Sequence, residues 1–231
     1  MNYPGLSIFF PAYNEQENIE RTVTDALSSI SKLISDYEII IIDDGSRDRT
    51  PEIADTLARS NPQIRVVHHP CNQGYGAAIK SGFAAASKEL VFFADGDGQF
   101  DLAEISLLLT YISKADLVIG YRIKRRDPWH RLLFGKMWGL LVGVLFNLWV
   151  KDIDCAFKLF KISAIKAILP LKSDGAVIST ELLVKAKQKG LKIKQVGVHH
   201  YPRQAGSPTG AKLSVIIKAF RELFKLRRDL G

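Results

Sequence analysis

The chain has 231 residues, 47% of them hydrophobic and 24% charged. This composition excludes a disordered, collagen-like or low-complexity protein and leaves room for one large domain. A net charge of +8 conceals a division: residues 1–120 carry 9 Lys/Arg and 17 Asp/Glu, whereas residues 121–231 carry 23 and 7. The acidic half suits a cation; the basic half suits phosphate, nucleic acid or an anionic membrane surface.

The first half alternates strand and helix signals. LSIFFPAY (6–13) is an apolar run closed by a turn, and residues 15–34 place Ile19, Val23, Ala26 and Ile30 at helical spacing. YEIIIIDDGS (37–46) predicts a buried strand and its turn. A helix over 50–59 follows, with Thr50 as N-cap and Pro51 at its first position. IRVVHHP (64–70) predicts a third strand, 72–86 a small-residue helix, ELVFFADGDGQ (89–99) a fourth strand, 102–113 a helix and ADLVIGYR (115–122) a fifth strand. Such alternation predicts an α/β fold with a mostly parallel sheet, in which ligands bind beyond the carboxyl ends of the strands. In the second half, 129–150 reads as a Leu-, Phe- and Trp-rich helix, 152–160 as a polar-then-apolar segment, 180–189 as a helix, 191–202 as a strand and 211–228 as an amphipathic basic helix. The uncharged stretch MWGLLVGVLFNLWV (137–150) has 14 residues, short of the roughly 20 needed to cross a bilayer. No signal peptide is expected at the N-terminus. Cys71 and Cys155 form no metal-binding or disulfide pattern, which points to a reducing compartment.

The acidic clusters fall at strand ends. Asp95, Asp97 and Gln99 form D-x-D-x-Q. In an extended chain these alternate side chains face one spot, where oxygen ligands suit Mg2+ or Mn2+; the same residues would equally make a solvated turn. Asp43 and Asp44 are placed to bind a nucleobase and ribose, or simply to build a turn. Tyr13 can stack on a base; Glu15 sits at the same turn, where the alternative role is that of a favourable charge at a helix start. Gly74 and Gly76 permit close backbone approach, either to a ligand or between helix and sheet. Lys124, Arg125, Arg126 and Arg131, near Trp129, Trp138 and Trp149, fit a helix lying in a membrane interface; an ordinary core helix with a basic end is the alternative. No nucleic-acid motif accompanies the basic charge, so no nucleic-acid partner is expected. His68, His69, His199 and His200 lack ligand spacing and read as structural.

FFPAYNEQENI, IIIDDGSRDRT, HHPCNQGYGAAIKSGF and FFADGDGQF occur in the order found in family 2 glycosyltransferases. The chain resembles that family over nearly its whole length, and within it the dolichyl- and polyprenyl-phosphate sugar transferases. The resemblance implies one domain over 1–231 with a GT-A (Rossmann-like) fold. Residues 1–120 would bind the nucleotide sugar, and 121–231 would supply the acceptor side with amphipathic membrane-interface helices. It implies that Pro11, Tyr13, Asn14 and Glu15 line the nucleotide pocket, with Asp43 on the base and Ile42 beside it. Asp95, Asp97 and Gln99 would hold Mg2+ or Mn2+ on the donor diphosphate. Arg122 would reach toward a phosphate, and Arg131 and Arg203 would bind the acceptor phosphate and diphosphate. Many relatives continue into transmembrane helices, so a chain ending at Gly231 is expected to be a peripheral form on the cytoplasmic membrane face, with an anionic membrane surface and a membrane-protein partner. The expected reaction is inverting transfer from a nucleotide-sugar donor such as GDP-mannose or UDP-hexose to a polyprenyl phosphate. The alternative is transfer to a saccharide hydroxyl, which needs a carboxylate base; Asp152, Asp154 and Glu181 are the second-half carboxylates placed to serve.

Overall fold

A computed structural model describes residues 3–123, 129–203, 205 and 213–230. Its strands are β1 (Leu6–Ala12), β2 (Tyr37–Asp43), β3 (Ile64–His68), β4 (Leu90–Phe93), β5 (Leu117–Ile123), β6 (Lys158–Lys161) and β7 (Ile193–His199). They form one sheet in the order β3-β2-β1-β4-β6-β5-β7. Every neighbouring pair is parallel except those made by β6, which runs antiparallel to both β4 and β5. Strands from the acidic and the basic half are therefore continuous in one sheet.

The unbroken apolar runs of β1, β2 and β4 follow from burial on both faces. Leu6, Ile8, Phe10, Ile39, Ile41 and Phe92 point to one core, against α1 (Ile19–Ile30), α2 (Thr50–Ser60) and α4 (Ile105–Ile112). Their alternates Phe9, Ile40, Ile42, Val91 and Phe93 point to the other, against α3 (Tyr75–Ala85), α6 (Ile162–Ile168) and α7 (Ile178–Gln188). The helices α5 (Trp129–Phe146) and α8 (Leu213–Leu230) close over this second core through Val142, Leu223 and Leu226. Rings of Phe9, Phe83, Phe93 and Phe160 stack and meet edge-on at its centre.

Neither β6 nor α6 is apparent from sequence pattern, because β6 is four residues long and carries Lys158. The helix predicted over 129–150 ends at Phe146; Asn147 takes φ +51°, the left-handed conformation that Asn tolerates at a helix end. Thr50 lies inside the first turn of α2 and makes no capping bond. The helix predicted over 15–34 shortens to α1 because residues 13–18 are drawn into a loop contact described below.

At the amino ends of the strands, Glu38 stitches three segments together. It accepts bonds from the Ser7 hydroxyl at 2.6 Å, the Ser87 amide at 2.8 Å, the Ser87 hydroxyl at 2.7 Å and Arg65 Nη2 at 2.7 Å. Burial alone would raise its pKa, but these bonds outweigh burial and hold it at about 2, below the ordinary 4.5. A depressed carboxylate pKa contributes stability that is complete above 4.5 and lost as pH falls toward 2. Glu38→Gln is therefore expected to cost about 2–3 kcal/mol at neutral pH, since it leaves buried donors facing an amide. It is also expected to flatten the decline of melting temperature across that acid range. Equal acid slopes for the two proteins would contradict the assignment.

Candidate active site at the carboxyl ends of the strands

Loops leaving β1 and β2 interlock. The Asn14 amide donates to Ser46 Oγ at 3.0 Å, and Asn14 Oδ1 accepts from the Arg47 amide at 2.8 Å. The Glu15 amide donates to Thr50 Oγ1 at 2.8 Å, which explains why Thr50 does not cap its own helix. Asn14 pays for this geometry with φ +56°. Tyr13 is half-buried and Asn14 exposed at the rim, whereas Pro11 is buried in β1, in register with Ile42. Ile42, expected beside a ligand, is fully buried in the second core and offers no side-chain surface there. The alternation that brings Asp43 to the strand end turns its neighbour into the protein.

Two adjacent aspartates are each held by one of two adjacent histidines. Asp43 hydrogen-bonds with His68 Nδ1 at 2.9 Å and accepts from the Ser46 amide at 3.0 Å. Asp44 hydrogen-bonds with His69 Nδ1 at 2.7 Å and accepts from the Gln73 and Gly74 amides at 2.8 and 2.9 Å. His68 also meets Asp55 at 3.1 Å. Burial works against its protonation, but bonds to Asp43 and Asp55 outweigh burial and raise its pKa. Both aspartates thus build the turn as well as facing the strand ends. Gly45 takes φ +66°, and a Cβ there would come within 2.3 Å of the Cys71 backbone. Only glycine lets these loops close. Gly76 serves a contact the sequence does not reveal: its amide donates to Asp174 O at 2.8 Å, packing the start of α3 on the 173–174 loop.

The third corner follows β4. The chain does not stay extended through D-x-D-x-Q: Gly98 turns it at φ +69°, and Asp97 Oδ1 accepts the Gln99 amide at 3.1 Å. Alternation therefore does not describe this turn; the Gln99 Nε2 donates to Tyr201 O at 2.8 Å. Asp95 hydrogen-bonds with Tyr75. Its pKa is raised, first by burial and then by the Asp97 charge, against the pull of Tyr75, Arg122 and Lys158. Burial also raises Asp97, with Glu15 adding to the effect and Arg203 opposing it. Two carboxylates held close with surplus negative charge fit a divalent cation. Mg2+ commonly takes one or two protein carboxylates and completes its shell with phosphate and water. Among the described residues no group of three or more His, Cys, Asp or Glu forms a metal site; the oxygen donors at this corner are the two aspartates and the Gln99 carboxamide.

Arginines meet the acidic corner. Arg203 Nη2 lies 2.6 and 2.5 Å from the Glu15 oxygens, and Arg203 Nη1 lies 3.5 Å from Asp97 Oδ2. Its Nε donates to Ala205 O at 2.6 Å, and Asn18 Nδ2 donates to Glu15 at 2.8 Å. Arg122 pairs with Asp152 through Nε and Nη2, at 2.6 and 2.8 Å, the two side chains being 17% and 11% exposed. It acts on the site as a fixed neighbouring charge. The side chain of Arg131 lies outside the described residues, as do Lys124, Arg125 and Arg126. Sequence reasoning also passed over Lys158, which is 0% exposed and donates to Ile153 O at 3.0 Å and to Cys155 O. The available signal was a lysine inside the apolar string AFKLF. Tyr75, set between two glycines, and Asn18 were missed likewise.

Residues 7–169 match the Glycosyl transferase family 2 domain. The chain belongs to glycosyl transferase family 2. It is 31% identical over 206 residues to a dolichyl-phosphate beta-glucosyltransferase of Trichomonas vaginalis, covering 81% of this chain and 61% of that protein. It is 29% identical to the dolichyl-phosphate beta-glucosyltransferase of Saccharomyces cerevisiae, covering 97% and 72%. It is 28% identical to an undecaprenyl-phosphate 4-deoxy-4-formamido-L-arabinose transferase of Pectobacterium atrosepticum, covering 92% and 64%. The chain thus spans roughly two thirds of the length of these curated relatives. The fold is that of glucosyl-3-phosphoglycerate synthase from Mycobacterium tuberculosis, solved with Mn2+, uridine diphosphate and phosphoglyceric acid. The TM-score is 0.76 at 21% identity, over 97% of this chain and 78% of that one. The GT-A expectation for this family 2 chain is met.

Proposed function

We propose that the chain is a glycosyltransferase that moves a hexose, with inversion, from a nucleotide sugar to a polyprenyl phosphate. The observation that carries this reading is Arg203 standing against Asp97 and Glu15, so that cationic and anionic groups share one cleft. Two relatives named for transfer to dolichyl or undecaprenyl phosphate support the acceptor class.

Tyr13 and Asp43 hold the nucleoside, with His68 fixing the Asp43 carboxylate. Asp95 and Asp97, with Gln99, would hold Mg2+ or Mn2+. When bound, that cation offsets the charge of the departing diphosphate. Arg203 and Arg131 offset the charge of the incoming phosphate, whose oxygens match the arginine fork. A phosphate oxygen is already ionised at neutral pH, so attack on the anomeric carbon requires no strong base. A hydroxyl acceptor would require one, and two of the three second-half carboxylates named as placed to serve are engaged elsewhere. Asp152 is bound to Arg122; Glu181, fully buried, accepts the Lys172 and Ser173 amides and pairs with Lys185.

No helix among the described residues is long and apolar enough to cross a membrane. On α5, Phe134, Met137, Leu140 and Val144 are 57–69% exposed, and Trp138 meets Phe220 of α8 edge-on. With Phe224 and the basic residues of α8 beside them, these side chains support peripheral attachment at the cytoplasmic face, where each basic residue contributes about 1 kcal/mol. Sedimentation with anionic vesicles is expected, weakening with salt and with Phe134→Ser/Met137→Ser. Equal binding to neutral vesicles would contradict the electrostatic part.

The test of function is incubation with radiolabelled nucleotide sugars and membrane extract, followed by organic extraction. Counts in the organic phase are expected for one donor. They should disappear with chelator and return with Mg2+ or Mn2+. Water-soluble product alone would favour the hydroxyl acceptor, and full turnover in chelator would remove the metal.

A further inference from the structure

The ladder between β5 and β7 ends at the pair Ile123–His199. Beyond it the chain crosses the carboxyl edge of the sheet and runs antiparallel to the turn after β4. Phe100 and His200 form an antiparallel bridge, with their rings 5.1 Å apart. The Tyr201 amide donates to Gln99 O at 2.8 Å, and the Gln99 side chain returns a bond to Tyr201 O at 2.8 Å. Two residues beyond Tyr201 the same arm brings Arg203 to Asp97, 3.5 Å away, so a shift of the arm along the turn after β4 would carry Arg203 off that carboxylate.

The register is pinned at the point where the arm leaves the sheet. Glu104 closes the 3-10 turn Leu102–Glu104, whose start is fixed by Asp101 capping the Ala103 amide at 3.0 Å. Its Oε2 accepts the His199 amide at 2.7 Å, and its Oε1 hydrogen-bonds with His199 Nδ1 at 2.6 Å. One largely buried carboxylate therefore grips both backbone and ring of the last β7 residue. We propose that Glu104, acting through His199, is a positioning residue that sets the register of the 199–203 arm and so places Arg203 opposite Asp97. Its kinetic consequence rests on the reading of Arg203 as a group for the acceptor phosphate.

The test uses the full chain. Glu104→Ala is expected to raise KM for polyprenyl phosphate about tenfold, as for the loss of a hydrogen-bonded charge, with donor KM unchanged. Glu104→Gln is expected to restore it: the carboxamide oxygen can accept the His199 amide while its N–H donates to a neutral Nδ1. His199→Ala keeps the backbone bond and should give a smaller rise. In an Arg203→Ala background, Glu104→Ala should add nothing, because it acts only through that arginine. Independent, multiplying effects, or an equal rise for the donor, would overturn the proposal. A second readout needs no substrate. Amide hydrogen exchange over 196–203 should accelerate about tenfold in Glu104→Ala while β1 and β2 stay protected. Unchanged exchange would overturn the proposal too. If the wild type shows no turnover with polyprenyl phosphate but the exchange result holds, the acceptor reading falls and the register claim stands.

Discussion

Replacing Asp97 with asparagine is expected to lower turnover about a thousandfold, the scale of several kcal/mol of charge stabilisation lost at the leaving diphosphate. The same substitution should leave the melting temperature unchanged or higher. The Asp97 pKa is raised by burial, with the Glu15 charge adding to it. A carboxylate whose folded pKa is raised destabilises the folded state at neutral pH, so removing its charge relieves the protein. Loss of activity together with equal or greater stability separates a functional carboxylate from a structural one. Isothermal titration of Mn2+ supplies the independent check: binding should be abolished in Asp97→Asn. Retained Mn2+ affinity would move the cation elsewhere.

Arg203→Ala is the second large effect. Truncating one partner of a close charge pair costs about 2 kcal/mol or more, so acceptor KM should rise at least thirtyfold. Donor KM should change far less. Arg203→Lys should recover little, because a point charge does not reproduce the fork that meets two oxygens at once. The substitution also leaves Glu15 without its cationic partner, and Glu15→Gln in the same chain should return the lost stability without returning activity. Equal effects on donor and acceptor would remove the acceptor assignment.

The parts of this fold that could be read from sequence are those governed by local pattern. The four-isoleucine run of β2, the helical spacing of Ile19, Val23, Ala26 and Ile30, and the acidic residues after β1, β2 and β4 all speak through neighbours in the chain. What could not be read depends on distant partners. Arg122 looks like a free arginine at a strand end until Asp152, thirty residues on, takes its fork. Lys158 looks like a break in an apolar segment, yet it is a buried donor within an antiparallel strand. The Gln99 bond to Tyr201 was hidden because alternation assumes an extended chain, and the left-handed Gly98 ends that extension. The Ile42 side chain turns into the core because a strand buried on both faces sends alternate residues there. The histidines carried no motif, yet each of His68, His69 and His199 fixes a carboxylate at or beside the cleft. Single residues at strand ends were thus visible, and the pairings that aim them were not.

The central claim is that the acidic pair after β4, on the donor side, and the arginine carried by the arm after β7, on the acceptor side, share one cleft. A crystal structure with Mg2+, the nucleoside diphosphate of the active donor and a short polyprenyl phosphate tests it directly. The expected result is Mg2+ about 2.1 Å from an Asp97 oxygen, with Arg203 within hydrogen-bonding distance of an oxygen of the acceptor phosphate. Magnesium bound away from Asp95 and Asp97, or an acceptor phosphate beyond the reach of Arg203, would contradict it.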